Sequence, residues 1–177
     1  MKILFGLISV LLMIIDSHGQ ERGQQMLEDL NVLVGNWKVQ VEARLSAQGP
    51  WDTSVATSVI RKNVSSRILE EDLSGSRHNA QFTIKCLLAI NNQTLKYQRI
   101  FVDSEHGTLI DFEGNKTGND FVFDKEWIYA NQTKVKLRVL YKVISPDEFI
   151  IENMRMPDSS SSWDVTGRMM YTRIKVM

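Results

Sequence analysis

Apolar and polar residues alternate with a period of two from Trp37 almost to the last residue. That pattern constrains the fold more than any other feature of the chain. In WKVQVEARL, Trp37, Val39, Val41, Ala43 and Leu45 fall on one side, and Lys38, Gln40, Glu42 and Arg44 on the other. Comparable segments run over 53–62, 66–73, 80–90, 95–102, 108–113, 120–129, 134–144, 149–156 and 163–175. Turn-forming stretches separate many of them, among them SAQGP, SGSRHN, NNQ, NQT, SPDE and PDSSSS. The spacing predicts about ten strands, set roughly ten to fourteen residues apart, with no room for a crossover helix. Sequence neighbours must then pair antiparallel. Such a meander leaves two raw edges unless it closes, and closure is the common remedy. The chain is therefore expected to be all-β, an antiparallel up-and-down barrel of about 8–10 strands with a short N-terminal helix. An open sandwich is the alternative. No internal repeat of a propeller blade's length is visible.

The two ends of the pattern support closure. QQMLEDLNVLV, ahead of the first strand, places Met26, Leu27, Leu30, Leu33 and Val34 at helical spacing, and Gly35 stops it. In a closed meander the strand that begins GNWKV lies beside the one that carries YTR. Trp37 is then placed to plug one end of the barrel, and Gly35 allows the sharp entry from helix into strand. Arg173 on the last strand can lay its guanidinium over the indole, a contact of about 1–2 kcal/mol when desolvated.

Gly35-x-Trp37 after a short helix, with Arg173 on the final strand, resembles the lipocalin and fatty-acid-binding-protein superfamily. The chain beyond residue 20 also resembles, more closely, the family called "domain of unknown function 1579". The matching points are LVGNWKV, Gly49-Pro50, SSRILEEDL, IKCLLAINNQTLKYQRIFVDSEHG, the SPDEF turn and the closing MMYTRIK. The resemblance implies a lipocalin-like (calycin) barrel and no established activity. Haem-binding barrels of similar size use a histidine late in the chain, and none follows His106.

The first residues read differently. Lys2 precedes ILFGLISVLLMII, and DSHGQ follows: one positive charge, an apolar core and a small-residue exit. This is the pattern of a secretory signal peptide over 1–20, with residues 21–177 as one barrel domain. The run is short for a membrane span, and no later segment is apolar enough to make one. The chain is expected to be exported, either periplasmic or secreted. With 21 basic and 21 acidic residues, it lacks the basic surface that nucleic acid or an anionic membrane rewards. The single cysteine, Cys86, cannot form an internal disulfide, and its neighbours in TIKCLLAI mark it as a small buried hydrophobe. His18, His78 and His106 lie far apart in polar stretches, so no metal site and no cofactor is implied. No nucleophile elbow or phosphate-binding glycine motif is present, and no catalytic residue stands out.

Polar residues in phase with apolar ones are the candidates for function. Arg99 shares a face with Leu95, Tyr97 and Phe101; Arg155 with Phe149, Ile151 and Asn153; Arg67 with Leu69, Glu71 and Leu73. If those faces turn inward, Arg67, Arg99 and Arg155 reach the interior and need partners. An anionic ligand headgroup is one kind of partner; Glu71 or Asp111 is another. Trp127 and Tyr141 are expected to line the body of such a ligand. In the EED run, Glu70 and Asp72 face opposite to Glu71, which reads as a solvated face rather than an acid–base pair. Three functional readings follow. The first is a carrier of a small hydrophobic or anionic amphipathic ligand. The second is a filled barrel serving protein–protein contact. The third, weaker for want of a titratable candidate, is an enzyme acting on a lipid-like substrate. Four Asn-x-Ser/Thr sequons, at Asn63, Asn92, Asn115 and Asn131, all fall at expected turns.

Overall fold

A computed structural model describes residues 21–44, 46, 48–63, 67–103 and 107–175. The expected signal peptide, Leu45 and His106 lie outside the described residues. A helix over 21–29 tightens into a 3-10 turn, Leu30–Leu33. Ten strands follow: β1 (Gly35–Ala43), β2 (Asp52–Lys62), β3 (Ile68–Arg77), β4 (Ala80–Asn91), β5 (Lys96–Asp103), β6 (Thr108–Thr117), β7 (Asp120–Ile128), β8 (Lys134–Ser145), β9 (Glu148–Pro157) and β10 (Asp164–Arg173). Each pairs antiparallel with its sequence neighbours, and β1 pairs with β10 from Trp37↔Arg173 to Ala43↔Gly167, so the barrel is closed.

The alternation sets which side chains enter. On β2, Ser54, Ala56, Ser58 and Ile60 are buried while Thr53, Val55, Thr57 and Val59 are exposed. Two hairpins are tighter than their composition suggests. SGSR belongs to β3, paired through Ser74↔Thr83 and Arg77↔Ala80. The turn is only His78–Asn79, both with positive φ, the backbone of a two-residue hairpin loop. Likewise Asn115, Lys116 and Thr117 are not a turn. They pair with Val122, Phe121 and Asp120, and the loop is Gly118–Asn119. Asn115 therefore stands exposed on a strand.

One end of the barrel is sealed. Leu27, Leu30 and Leu33 are buried under the helix, and the fully buried Trp37 lies against Phe149 and Tyr171, with ring centroids 4.8 and 6.3 Å away. The Trp37 Nε1 donates to the Leu33 carbonyl at 2.9 Å. Asp29 ties the helix to the wall, accepting from Tyr97 Oη at 2.9 Å and Lys116 Nζ at 2.7 Å. Arg173 stacks on the indole, its Cζ 4.1 Å from the ring centroid. It also donates to the carbonyls of Val34 at 2.7 Å and Val32 at 3.1 Å. Gly35 has φ +153°, and a Cβ there would overlap Arg173 Nη1.

Candidate functional site

The barrel is filled unevenly, and side-chain size along each strand is the reason. Toward the sealed end the inward positions carry Trp37, Tyr97, Phe121, Phe123, Tyr141, Phe149 and Tyr171, all buried. Toward the other end several inward positions are small. Ala43 faces Gly167 across the β1–β10 ladder, and Ser54 faces Val41 across β1–β2. At Gly167 the Asn153 amide lies where a side chain would begin, 3.2 Å from an added Cβ.

A polar cluster sits inside the packed part. Glu71 is buried, and its Oε1 accepts from Ser58 Oγ and Tyr171 Oη, each at 2.7 Å. Burial raises the Glu71 carboxyl above the ordinary carboxylate range, against the pull of those two donors and of the Arg99 charge. Arg99 is also buried. Its Nε donates to Tyr141 Oη at 3.0 Å, and its guanidinium lies 5.2 and 5.5 Å from the Phe101 and Phe112 ring centres. Burial acts against its charge, the hydrogen bond to the Tyr141 hydroxyl acts for it, and the guanidinium stays protonated. Burial pushes the Cys86 thiol up to about 11, so it is an inert neutral group beside Tyr141.

Beyond this cluster the open mouth holds a cavity of about 200 Å³. Val41, Ala43, Ile84, Phe101 and Met169 supply its apolar wall, and Ser54 and Asn153 its neutral polar groups. Ser54 is 7% exposed, and its hydroxyl oxygen is buried with no hydrogen-bond partner. An unmet buried hydroxyl costs about 1–3 kcal/mol. Outside this cavity lies a wider hollow of about 660 Å³, beside the β1–β2 connection, which shares Ala43 and Arg77 with it. Arg44, Trp51, Asp52 and His78 line the outer hollow.

The residues singled out from sequence occupy different places. Arg99 and Tyr141 meet in the buried cluster. Arg67 lies in the bend before β3 and is exposed, so it does not reach the interior; its phase matches Leu69, but the strand begins only at Ile68. Arg155 is half-buried on β9, in register with Leu137 and Asp164. Trp127 is half-buried on β7 opposite Val135. Neither Arg155 nor Trp127 lines the 200 Å³ cavity. Glu71 joins the buried cluster, whereas Asp111 points outward and pairs with Lys125 at 2.8 Å. Glu70 and Asp72 are on the outer face with Arg61, at 3.6 and 2.7 Å. Sequence reasoning missed Ala43, Ser54 and Gly167, small residues at inward positions of three strands, and it missed Arg44 with Trp51. Among the described residues no group of His, Cys, Asp and Glu is placed to hold a metal ion, and no helix is long and apolar enough to cross a membrane.

The closed ten-strand meander, capped by a helix and sealed by an Arg–Trp pair, defines a calycin-like β-barrel. Residues 22–173 match the family described as "Protein of unknown function (DUF1579)", and the chain belongs to that family. Among solved structures it is similar to an S-type phycobiliprotein lyase from Guillardia theta. That match has a TM-score of 0.57 at 11% identity and covers 89% of this chain and 98% of that one. A redesigned β-barrel aligns with a TM-score of 0.43 at 14% identity, over 82% of this chain and 94% of its own. At these identities the likeness speaks to fold alone. No curated protein matches the chain by sequence.

Proposed function

We propose that this chain is an exported carrier, periplasmic or secreted, that binds a small apolar or amphipathic ligand in the mouth of its barrel. The apolar run of residues 3–15 behind Lys2 supports export. One observation carries the binding reading: a cavity of about 200 Å³ lies in the mouth, and a buried hydroxyl without a partner lines it. Small concave sites with a largely apolar wall and a few convergent polar groups are the usual form of ligand pockets. A ligand oxygen or nitrogen beside Ser54 would satisfy the hydroxyl, and apolar groups along Ile84, Phe101 and Met169 would lose their contact with water.

Native mass spectrometry tests this reading. The mature protein, purified from its own secretory compartment, is weighed before and after organic extraction, alongside Ala43→Leu. The wild type is expected to carry a discrete extra mass that extraction removes. Ala43→Leu fills the mouth and is expected to carry less of it at an unchanged thermal midpoint. A bare polypeptide mass, with no uptake from a mixture of fatty acids and sterols, would count against a carrier and favour a filled barrel with a protein partner.

A further inference from the structure

We infer that the ligand of the mouth is an amphipathic anion held with its charged group outermost, on a shelf formed by Arg44, Trp51 and Arg77. The inference rests on the mouth being the binding site and adds the class and orientation of the ligand.

The wall of the inner cavity offers an acid no free cation. Its neutral polar groups are a hydroxyl and an amide, Glu42 and Arg168 at its edge pair with each other at 3.6 Å, and its other arginine, Arg77, pairs with Asp52 at 3.5 Å. A carboxylate taken inside would lose its hydration with no opposite charge to replace it. Arg99 is the one buried guanidinium among the described residues. It is already turned to Tyr141, boxed by two rings, and shares its cluster with Glu71. A head-in pose therefore has no receptor.

The outer hollow differs. The linings of the two hollows together carry three arginines, Arg44, Arg77 and Arg168, against two carboxylates, Glu42 and Asp52. Arg168 is spent on Glu42 and Glu152. Asp52 serves both Arg77 at 3.5 Å and His78 at 2.9 Å. Arg44 is the arginine in excess. Its Nε donates to the Val165 carbonyl at 2.7 Å, and its Cζ lies 4.5 Å above the Trp51 ring centroid. Those two contacts fix the plane of the guanidinium and leave its terminal N–H groups to bond an incoming oxyanion, the geometry in which arginine binds carboxylates best. Arg77 lines both hollows and so stands where a chain passing from one to the other must run. The arrangement fits an apolar tail inside and a carboxylate or similar oxyanion on the rim.

Octanoate and 1-octanol distinguish the possibilities, since they differ mainly in the charged end. Both are titrated by calorimetry into the wild-type protein and into Arg44→Gln. Wild type is expected to bind octanoate about tenfold tighter than octanol, the scale of a charge-assisted hydrogen bond. Arg44→Gln is expected to lose that preference while keeping its octanol affinity. Nuclear Overhauser contacts should join the terminal methyl of octanoate to the methyl groups of Met169 and Ile84. Equal binding of octanol and octanoate by wild type would overturn the anionic head but leave the mouth as the site. Contacts from the carboxyl end to Met169 would overturn the orientation. Failure of both molecules to bind would overturn this inference and the carrier reading together.

Discussion

Arg173 lies over the indole of Trp37, 4.1 Å from guanidinium carbon to ring centroid, and from there donates to the carbonyls of Val34, Val32 and Pro146. One side chain of the last strand thus holds the helix exit, the first strand and the β8–β9 turn. The closure of the barrel and the sealing of its end are one structure.

Replacing that side chain should be costly. Arg173→Ala removes the cation–π contact and leaves three carbonyls to find other donors, an expected loss of about 2–4 kcal/mol. The Asp147 partner is half exposed and adds little. Arg173→Lys keeps the charge but cannot fork between carbonyls, and should recover less than half of the loss. Urea unfolding measures both. An Arg173→Ala protein within about 0.5 kcal/mol of wild type would show that the pair decorates the seal without holding it.

Gly35 and Arg173 should be coupled. Gly35→Ala forces a φ of +153° on an alanine and sets its methyl into Arg173 Nη1. The expected loss is about 2 kcal/mol or more. Because part of that cost is the collision, Gly35→Ala combined with Arg173→Ala should destabilise by less than the sum of the two. Strict additivity in a double-mutant cycle would assign the whole cost to backbone strain.

Glu71 should leave a pH signature. Its carboxyl is held above the ordinary range in the folded state, first of all by burial. The folded protein therefore keeps a proton that the unfolded chain gives up near the ordinary value of 4.5. The sign follows: stability from this group is fully present below that pH and is lost as pH rises through the folded value. Glu71→Gln keeps an oxygen to accept from Ser58 and Tyr171 but cannot ionise. The stability of wild type relative to Glu71→Gln should accordingly fall as pH rises above 4.5, measured by denaturant midpoints at a series of pH values. A flat or rising difference would mean that Glu71 ionises in the fold as the counter-ion of Arg99.

The sites differ in how far they could be read in advance. Period-two patterning grouped Glu71 with Leu69 and Leu73, opposite to Glu70 and Asp72, but that this group turns inward and buries Glu71 came only with the closed barrel. Depth along the barrel was not legible either. Arg67, Arg99 and Arg155 share one kind of phase yet end exposed at a strand entry, buried in the centre and half-buried on β9. Composition misled at SGSR and at Asn115-Lys116-Thr117, where turn-rich residues extend a hairpin; the ladder continues until residues that accept positive φ are reached. The mouth left only a faint trace, because Ala43, Ser54 and Gly167 belong to distant segments whose small size matters only once they meet.

Local chemistry in the sequence was enough to determine about ten strands, their order, which residues share a face and the meeting of first strand with last. Alternation, turn residues and the need to remove sheet edges act on neighbours in the chain, and antiparallel meanders convert such neighbours directly into contacts. Only the tertiary structure decided where the barrel is full and where it is hollow, which arginine is spent on a partner and which is in excess. Those properties depend on shear and register around the closed sheet, which set side chains from all ten strands at particular heights. No residue carries that height in its own identity.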